Sequence, residues 1–167
     1  MRKRKSSLFV GIMAVFILFV FDQATKHFAQ SFLAGTRGIS VIPGVFELFY
    51  LENRGAAFGM FADRQWFFIF VAVLMTAVSA YVYVRLPDDR HYRPLRLICI
   101  LIAAGALGNM ADRLIWNYVI DFLYFSLIDF PVFNVADCYV CVGTAVAVIL
   151  IFTVYREEKF EFLFPER

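Results

Sequence analysis

The chain has 167 residues, of which 62% are hydrophobic and 21 are Phe, and its mean hydropathy is +0.72. Such a composition excludes an ordinary soluble domain and points to a bilayer. The net charge of +2 is small, so the informative quantity is where the basic residues lie.

Apolar runs cover 8–21, 66–84, 97–107 and 138–154. A spanning helix needs about 20 mostly apolar residues, so the first and third runs are extended to reach that length. The resulting reading is an all-α polytopic membrane protein of one domain, 1–167, with spans at about 8–28, 66–84, 95–116 and 137–155. Extension forces Asp22 and Gln23 into the first span and Asn109 and Asp112 into the third. A charge at bilayer depth is disfavoured by roughly 2.5–3.5 kcal/mol on insertion scales and usually marks a working site.

Eleven basic residues lie in the N-terminal tail, the 85–96 connector and the C-terminal tail. The other five are Lys26, Arg37, Arg54, Arg64 and Arg113. That asymmetry predicts both termini and the middle connector in the cytoplasm. The N-terminal run continues into DQATKHF without a small-residue cleavage motif, so it is read as an uncleaved span.

In the first span Asp22 and Lys26 share a face at i, i+4. Lys26 is read as snorkelling to the interface, and the shorter Asp22 as facing inward. The connector at about 31–65 carries Ile39, Val41, Pro43-Gly44 and the 45–51 segment, which predict two short strands around a turn. Next, Asn53 precedes a small-residue segment able to approach a ligand closely, and Phe58, Met60 and Phe61 are expected to press it into the interface.

The second span is scaffold. The connector after it is short, charged and broken by two prolines; His91 there and His27 are read as solvated, so a His-based triad or metal site lacks support. In the third span Ala104, Gly105 and Gly108 permit close helix contact. Asn109, Asp112 and Arg113 then share a face, and a structural role with Arg113 as partner is assigned to Asp112.

Asp121 lies in VIDF among apolar neighbours, which raise a carboxyl pKa and suit proton exchange near neutrality. Asp129 is read as a loop residue. Asn134 is an N-cap candidate that makes Asp137 the third helical residue, where the helix end favours its charge. Capping alone would account for Asp137. The sharper reading is that Asp121, leaving one helix, faces Asp137, entering the next, so that the two share a proton. A proton relay and a thiol redox protein using Cys138 and Cys141 are the rivals. Acids gathered at one face disfavour the first, and an isolated helical CxxC gives weak support to the second.

DQATK, NRGAAFG, GNMADR, VIDF and FNVAD, in this order on four spans, resemble the lipoprotein signal peptidases of bacteria, also called signal peptidase II. The resemblance covers nearly the whole chain. It implies an intramembrane aspartic endopeptidase of the bacterial cytoplasmic (inner) membrane, which cuts prolipoproteins just before the diacylglyceryl-cysteine. Asp121 and Asp137 correspond to the catalytic pair. Asp22, Asn53, Asn109, Arg113 and Asn134 correspond to residues that hold the pair or bind substrate. It further implies a β-rich extracytoplasmic cradle between the first two helices, contact with membrane lipids, inhibition by globomycin-like cyclic peptides and no metal or cofactor. No nucleic-acid partner is expected, and the chain is expected to act as a monomer.

Overall fold

A computed structural model describes residues 2–55, 64–156 and 160–163, with side chains from Ser7 onward. Phe58, Met60 and Phe61, expected to dip into the interface, lie outside the described residues. Among the described residues there are four α-helices, α1 (Arg2–Leu33), α2 (Gln65–Arg85), α3 (Arg93–Trp116) and α4 (Val135–Phe152). All four are long and apolar enough to cross a bilayer, with 27, 21, 24 and 18 residues in their candidate spans. Compared with the sequence reading, α1 continues to Leu33, past 28, and α4 stops at Phe152, short of 155.

The helices pack around α3, which contacts α1, α2 and α4. Small residues explain its central place: Ala103, Ala104, Gly105, Ala106 and Gly108 are all buried, and without bulk they let backbones come close where no hydrophobic drive acts between helices. Large apolar side chains such as Phe9, Phe16, Phe70 and Ile149 point outward, as a lipid-facing belt requires. A cluster of Leu86, Leu95, Ile98, Cys99 and Tyr155 closes one end of the bundle. There the Tyr155 hydroxyl donates to the His91 carbonyl, tying the end of α4 to the α2–α3 connector.

The opposite end carries an antiparallel sheet of three strands, β1 (Ile39–Ile42), β2 (Phe46–Asn53) and β3 (Val119–Tyr124), in the order β1-β2-β3. The hairpin is the one expected, turning at Gly44, whose φ of 71° suits glycine. The third strand departs from the all-α reading. VIDFLY neither leaves a helix nor forms a loop: Asn117 ends α3 in the left-handed conformation, and the β-branched and aromatic residues after it pair with β2. The sheet is therefore assembled from both sides of the helix pair α2–α3, and Asp121 sits on a strand.

Both faces of β3 are covered. Ile120 and Phe122 pack against Ala29 and Leu33 of α1, so by alternation Val119 and Asp121 face the other way. Leu51 lies opposite Asp121, and Asn53 opposite Val119. Asn53 and Asp121 are thus diagonal neighbours on one face. Backbone bonds between Leu123 and Phe133, at 2.8 and 3.0 Å, bring the chain straight from β3 to the start of α4.

Candidate functional site

Asp121 and Asp137 both line a cavity of about 410 Å³ at the sheet end of the bundle, together with Asn53, Asn109 and Arg113. Its far wall is apolar and includes Phe68, Met75 and Val140. Asn134 and Asp22 stand behind it, fully buried.

Three amides hold the carboxylates, and each is oriented by a partner that leaves one choice. The Asn53 oxygen accepts from the Gly55 N–H at 2.9 Å, so its NH₂ faces Asp121 Oδ2 at 2.8 Å. Asn134 caps α4: its oxygen accepts from the Asp137 N–H at 3.0 Å, which turns its NH₂ to Asp121 Oδ1 at 2.6 Å. Asn109 presents its oxygen to the Lys26 ammonium at 2.9 Å, and an ammonium only donates. The Asn109 NH₂ therefore meets Asp137 Oδ1 at 2.7 Å. Asp137 Oδ2 completes a capping box by accepting from the Asn134 N–H at 3.1 Å. Capping and membership of the cavity wall thus coincide in Asp137.

Burial, and next the nearby Asp137 charge, push the Asp121 carboxyl up from its ordinary 3.8 to about 7, against the opposing donors Asn53 and Asn134. The strand holds a group poised to exchange a proton near neutrality.

Arg113 reaches the cavity from α3. It donates to the Asn109 carbonyl at 3.3 Å and the Gly55 carbonyl at 3.1 Å, and its guanidinium lies 4.5 Å from the Phe68 ring centre. Its Nε is buried without a hydrogen-bond partner among the described residues.

Two sequence expectations are corrected here. Lys26 does not snorkel: it is 1% exposed, because α1 turns that face onto α3. It forms ion pairs at 3.0 Å with both Asp22 and Asp112. Asp112 accordingly pairs with Lys26 rather than with Arg113, whose side chain diverges toward Gly55. Asp22 faces inward as expected. Gln23, placed in the first span but given no role from the sequence, donates to Asp112 at 3.0 Å and to the Gly108 carbonyl at 3.2 Å. Gly55 and Phe68, which shape the Arg113 site, were also passed over; the Asn-x-Gly turn at Asn53 was the available signal for the first.

Asp129 lies exposed in a turn, accepting from the Tyr124 hydroxyl at 2.7 Å. His27 and His91 are exposed. Cys99, Cys138 and Cys141 are free thiols, and among the described residues no group of three His, Cys, Asp or Glu could hold a metal ion.

A bundle of four helices long and apolar enough to cross a bilayer, with two carboxylates lining one cavity near its end, is the architecture of a multi-pass membrane protein with a candidate acid–base site. Comparison with known proteins then gives the family. Residues 14–153 match the model described as Signal peptidase (SPase) II. The lipoprotein signal peptidases of Streptococcus pyogenes serotypes M5 and M18 are each 36% identical over 156 residues, 93% of this chain and 98% of theirs. A bacterial membrane enzyme solved by the in meso method at 2.3 Å superposes with a TM-score of 0.79 at 26% identity, covering 90% of this chain and 92% of that one. A second, solved at 1.9 Å, gives 0.75 at 27% identity over 86% and 93%. The chain belongs to the signal peptidase II family, and it is a multi-pass bacterial membrane peptidase.

Proposed function

We propose that this chain is an aspartic endopeptidase that removes the signal peptide from lipid-modified prolipoproteins, cutting just before the diacylglyceryl-cysteine. The observation that carries the reading is a single cavity walled by Asp121 and Asp137, with the Asp121 carboxyl pushed up to about 7 by burial and by its neighbour. Two carboxyls so placed hold one proton between them.

The chemistry follows from that shared proton. The ionised member takes a proton from water as the water oxygen attacks the scissile carbonyl, the protonated member gives its own proton to the carbonyl oxygen, and a tetrahedral gem-diol forms. The member that took the water proton then passes it to the departing amide nitrogen, the other takes back a hydroxyl proton as the C–N bond breaks, and a carboxylic acid and the free cysteine amine result. Asn53, Asn109 and Asn134 hold the pair, Arg113 on the cavity wall offers its guanidinium to the substrate backbone or lipid ester, and Asp22 supports the start of α4.

Location fits the substrate. A diacylglyceryl-cysteine sits at the lipid boundary with its acyl chains among membrane lipids, so the cutting groups belong at the end of the bundle. On the basic-residue count, that end is extracytoplasmic, the termini are cytoplasmic, and the sheet forms a cradle on the outer surface of the bacterial inner membrane. Globomycin-like cyclic peptides would occupy the same cavity, and the enzyme would act as a monomer without metal, cofactor or nucleic acid.

Turnover of a lipidated prolipoprotein peptide by purified protein tests the pair. Asp121→Asn and Asp137→Asn are each expected to lower kcat by about 10²–10⁴-fold, the range for acid–base groups. Near-normal turnover in either variant removes that residue from the catalytic role.

A further inference from the structure

The α1 helix supplies no wall residue to the catalytic cavity, yet its Lys26 is among the most buried side chains of the molecule. Its ammonium has three protons and meets three acceptors: Asp22 Oδ2 at 3.0 Å, Asp112 Oδ2 at 3.0 Å and Asn109 Oδ1 at 2.9 Å. Simple charge balance would be met by one carboxylate. The identity of what each acceptor holds shows what the arrangement does.

Asp22 uses its second oxygen to accept from the Ala136 N–H at 2.9 Å, and Ala136 is the residue before Asp137. Asp112 accepts from the Ile120 N–H at 3.1 Å, and Ile120 is the residue before Asp121. Each of the two cavity acids is therefore gripped, at the backbone N–H of the residue immediately preceding it, by a carboxylate bonded to the same ammonium. The third acceptor, Asn109, donates to Asp137 at 2.7 Å and accepts at 3.1 Å from Asn134, which in turn donates to Asp121. All three branches from Lys26 end at the pair, two through backbone and one through amides.

We infer that Lys26 is a positioning residue that fixes Asp121 and Asp137 relative to each other, joining the grip on β3, the grip on α4 and the orientation of the Asn109 amide at one ammonium. The inference rests on the catalytic reading of that pair. It separates Lys26 from a buried counter-ion whose loss would merely leave two carboxylates unpaired. Misplacing reacting groups by about 1 Å can cost on the order of 10²-fold in rate without changing what is bound. The defect should accordingly appear in kcat.

Two variants of the full chain test this in detergent or nanodiscs, with kcat expressed per folded molecule from titration with a globomycin-like inhibitor. Lys26→Arg keeps the positive charge, but a planar guanidinium cannot serve three acceptors set around a tetrahedral ammonium. Asp22→Asn/Lys26→Met/Asp112→Asn leaves no buried charge at the hub and retains oxygen acceptors for Ala136 and Ile120. Both are expected to lower kcat by about 10- to 100-fold with KM within about twofold of wild type. Wild-type kcat per folded molecule in either variant, or a loss carried by KM, overturns the inference. Asp121→Asn and Asp137→Asn run beside them: if these stay active the catalytic reading itself fails, whereas inactive Asn variants with fully active Lys26 variants sink only the positioning role.

Discussion

Asn134 is the residue in which folding and chemistry are hardest to separate, since one amide caps α4 through its oxygen and holds Asp121 through its nitrogen. Two replacements part the roles. Asn134→Ala loses both, so stability should fall by about 1 kcal/mol, typical of a lost cap, and turnover should fall with it. Asn134→Ser keeps a capping oxygen but has no group to reach Asp121; thermal unfolding should stay close to wild type while kcat falls as in the Ala variant. Recovery of turnover in the Ser variant would reduce the role to capping. Asp121 gives a second expectation, this one in pH. Its folded carboxyl is raised from 3.8 to about 7, so across that window the folded protein keeps a proton that the unfolded chain has lost. The associated stability is complete below 3.8 and disappears as pH rises through about 7. Wild-type Tm should therefore drop between pH 5 and 8, and Asp121→Asn should flatten the drop. An equal slope in both proteins would place the titration elsewhere. At this scale the acids were legible, because a carboxylate among Val119, Ile120 and Phe122 is conspicuous. Lys26 was misread because i, i+4 spacing names a partner without saying which way the shared face turns.

Among the elements, the helices could be read from hydropathy alone, and the hairpin from its Pro-Gly turn. The strand β3 could not. Six residues following a spanning helix have no pattern that distinguishes strand from helix exit, and its partner β2 lies some 70 residues earlier, joined through Leu51 opposite Asp121. Only tertiary pairing makes the strand, and with it the placement of the acid. The α3–α4 contact shows the same dependence on packing. A Cβ added at Gly105 would run into the Ala136 carbonyl oxygen, whereas one at Gly143 on the same contact would meet the Ile102 side chain at 3.1 Å. A backbone carbonyl in a capped helix start cannot yield as a side chain can. Gly105→Ala should cost about 1–3 kcal/mol of stability, as overpacking does, and lower kcat because Ala136 adjoins Asp137. Gly143→Ala should be milder on both counts. Matching losses in thermal unfolding and turnover would show that the packing of this contact does not determine the placement of Asp137.

At the scale of the whole molecule, the buried charges among the described residues are gathered at one end: Asp22 and Lys26 late in α1, Asp112 late in α3 and Asp121 in the sheet, with the half-buried Asp137 beside them at the start of α4. Function then depends on which membrane face that end occupies. On the proposed function the scissile bond of a lipidated cysteine lies at the outer boundary, so the same site turned inward would be separated from that bond by the bilayer. Eleven basic residues against five argue for the productive orientation. Single cysteines read it directly in a background with Cys99, Cys138 and Cys141 replaced by Ala. Ser40→Cys in the exposed first strand and Asp89→Cys in the exposed α2–α3 connector leave the count of Lys and Arg untouched, so neither disturbs the signal being tested. In intact spheroplasts a membrane-impermeant maleimide should label position 40 at once and position 89 only after the membrane is opened. Labelling in the reverse order would put the cavity on the cytoplasmic side, where the acids could meet a lipidated precursor only if its cleavage bond crossed the membrane.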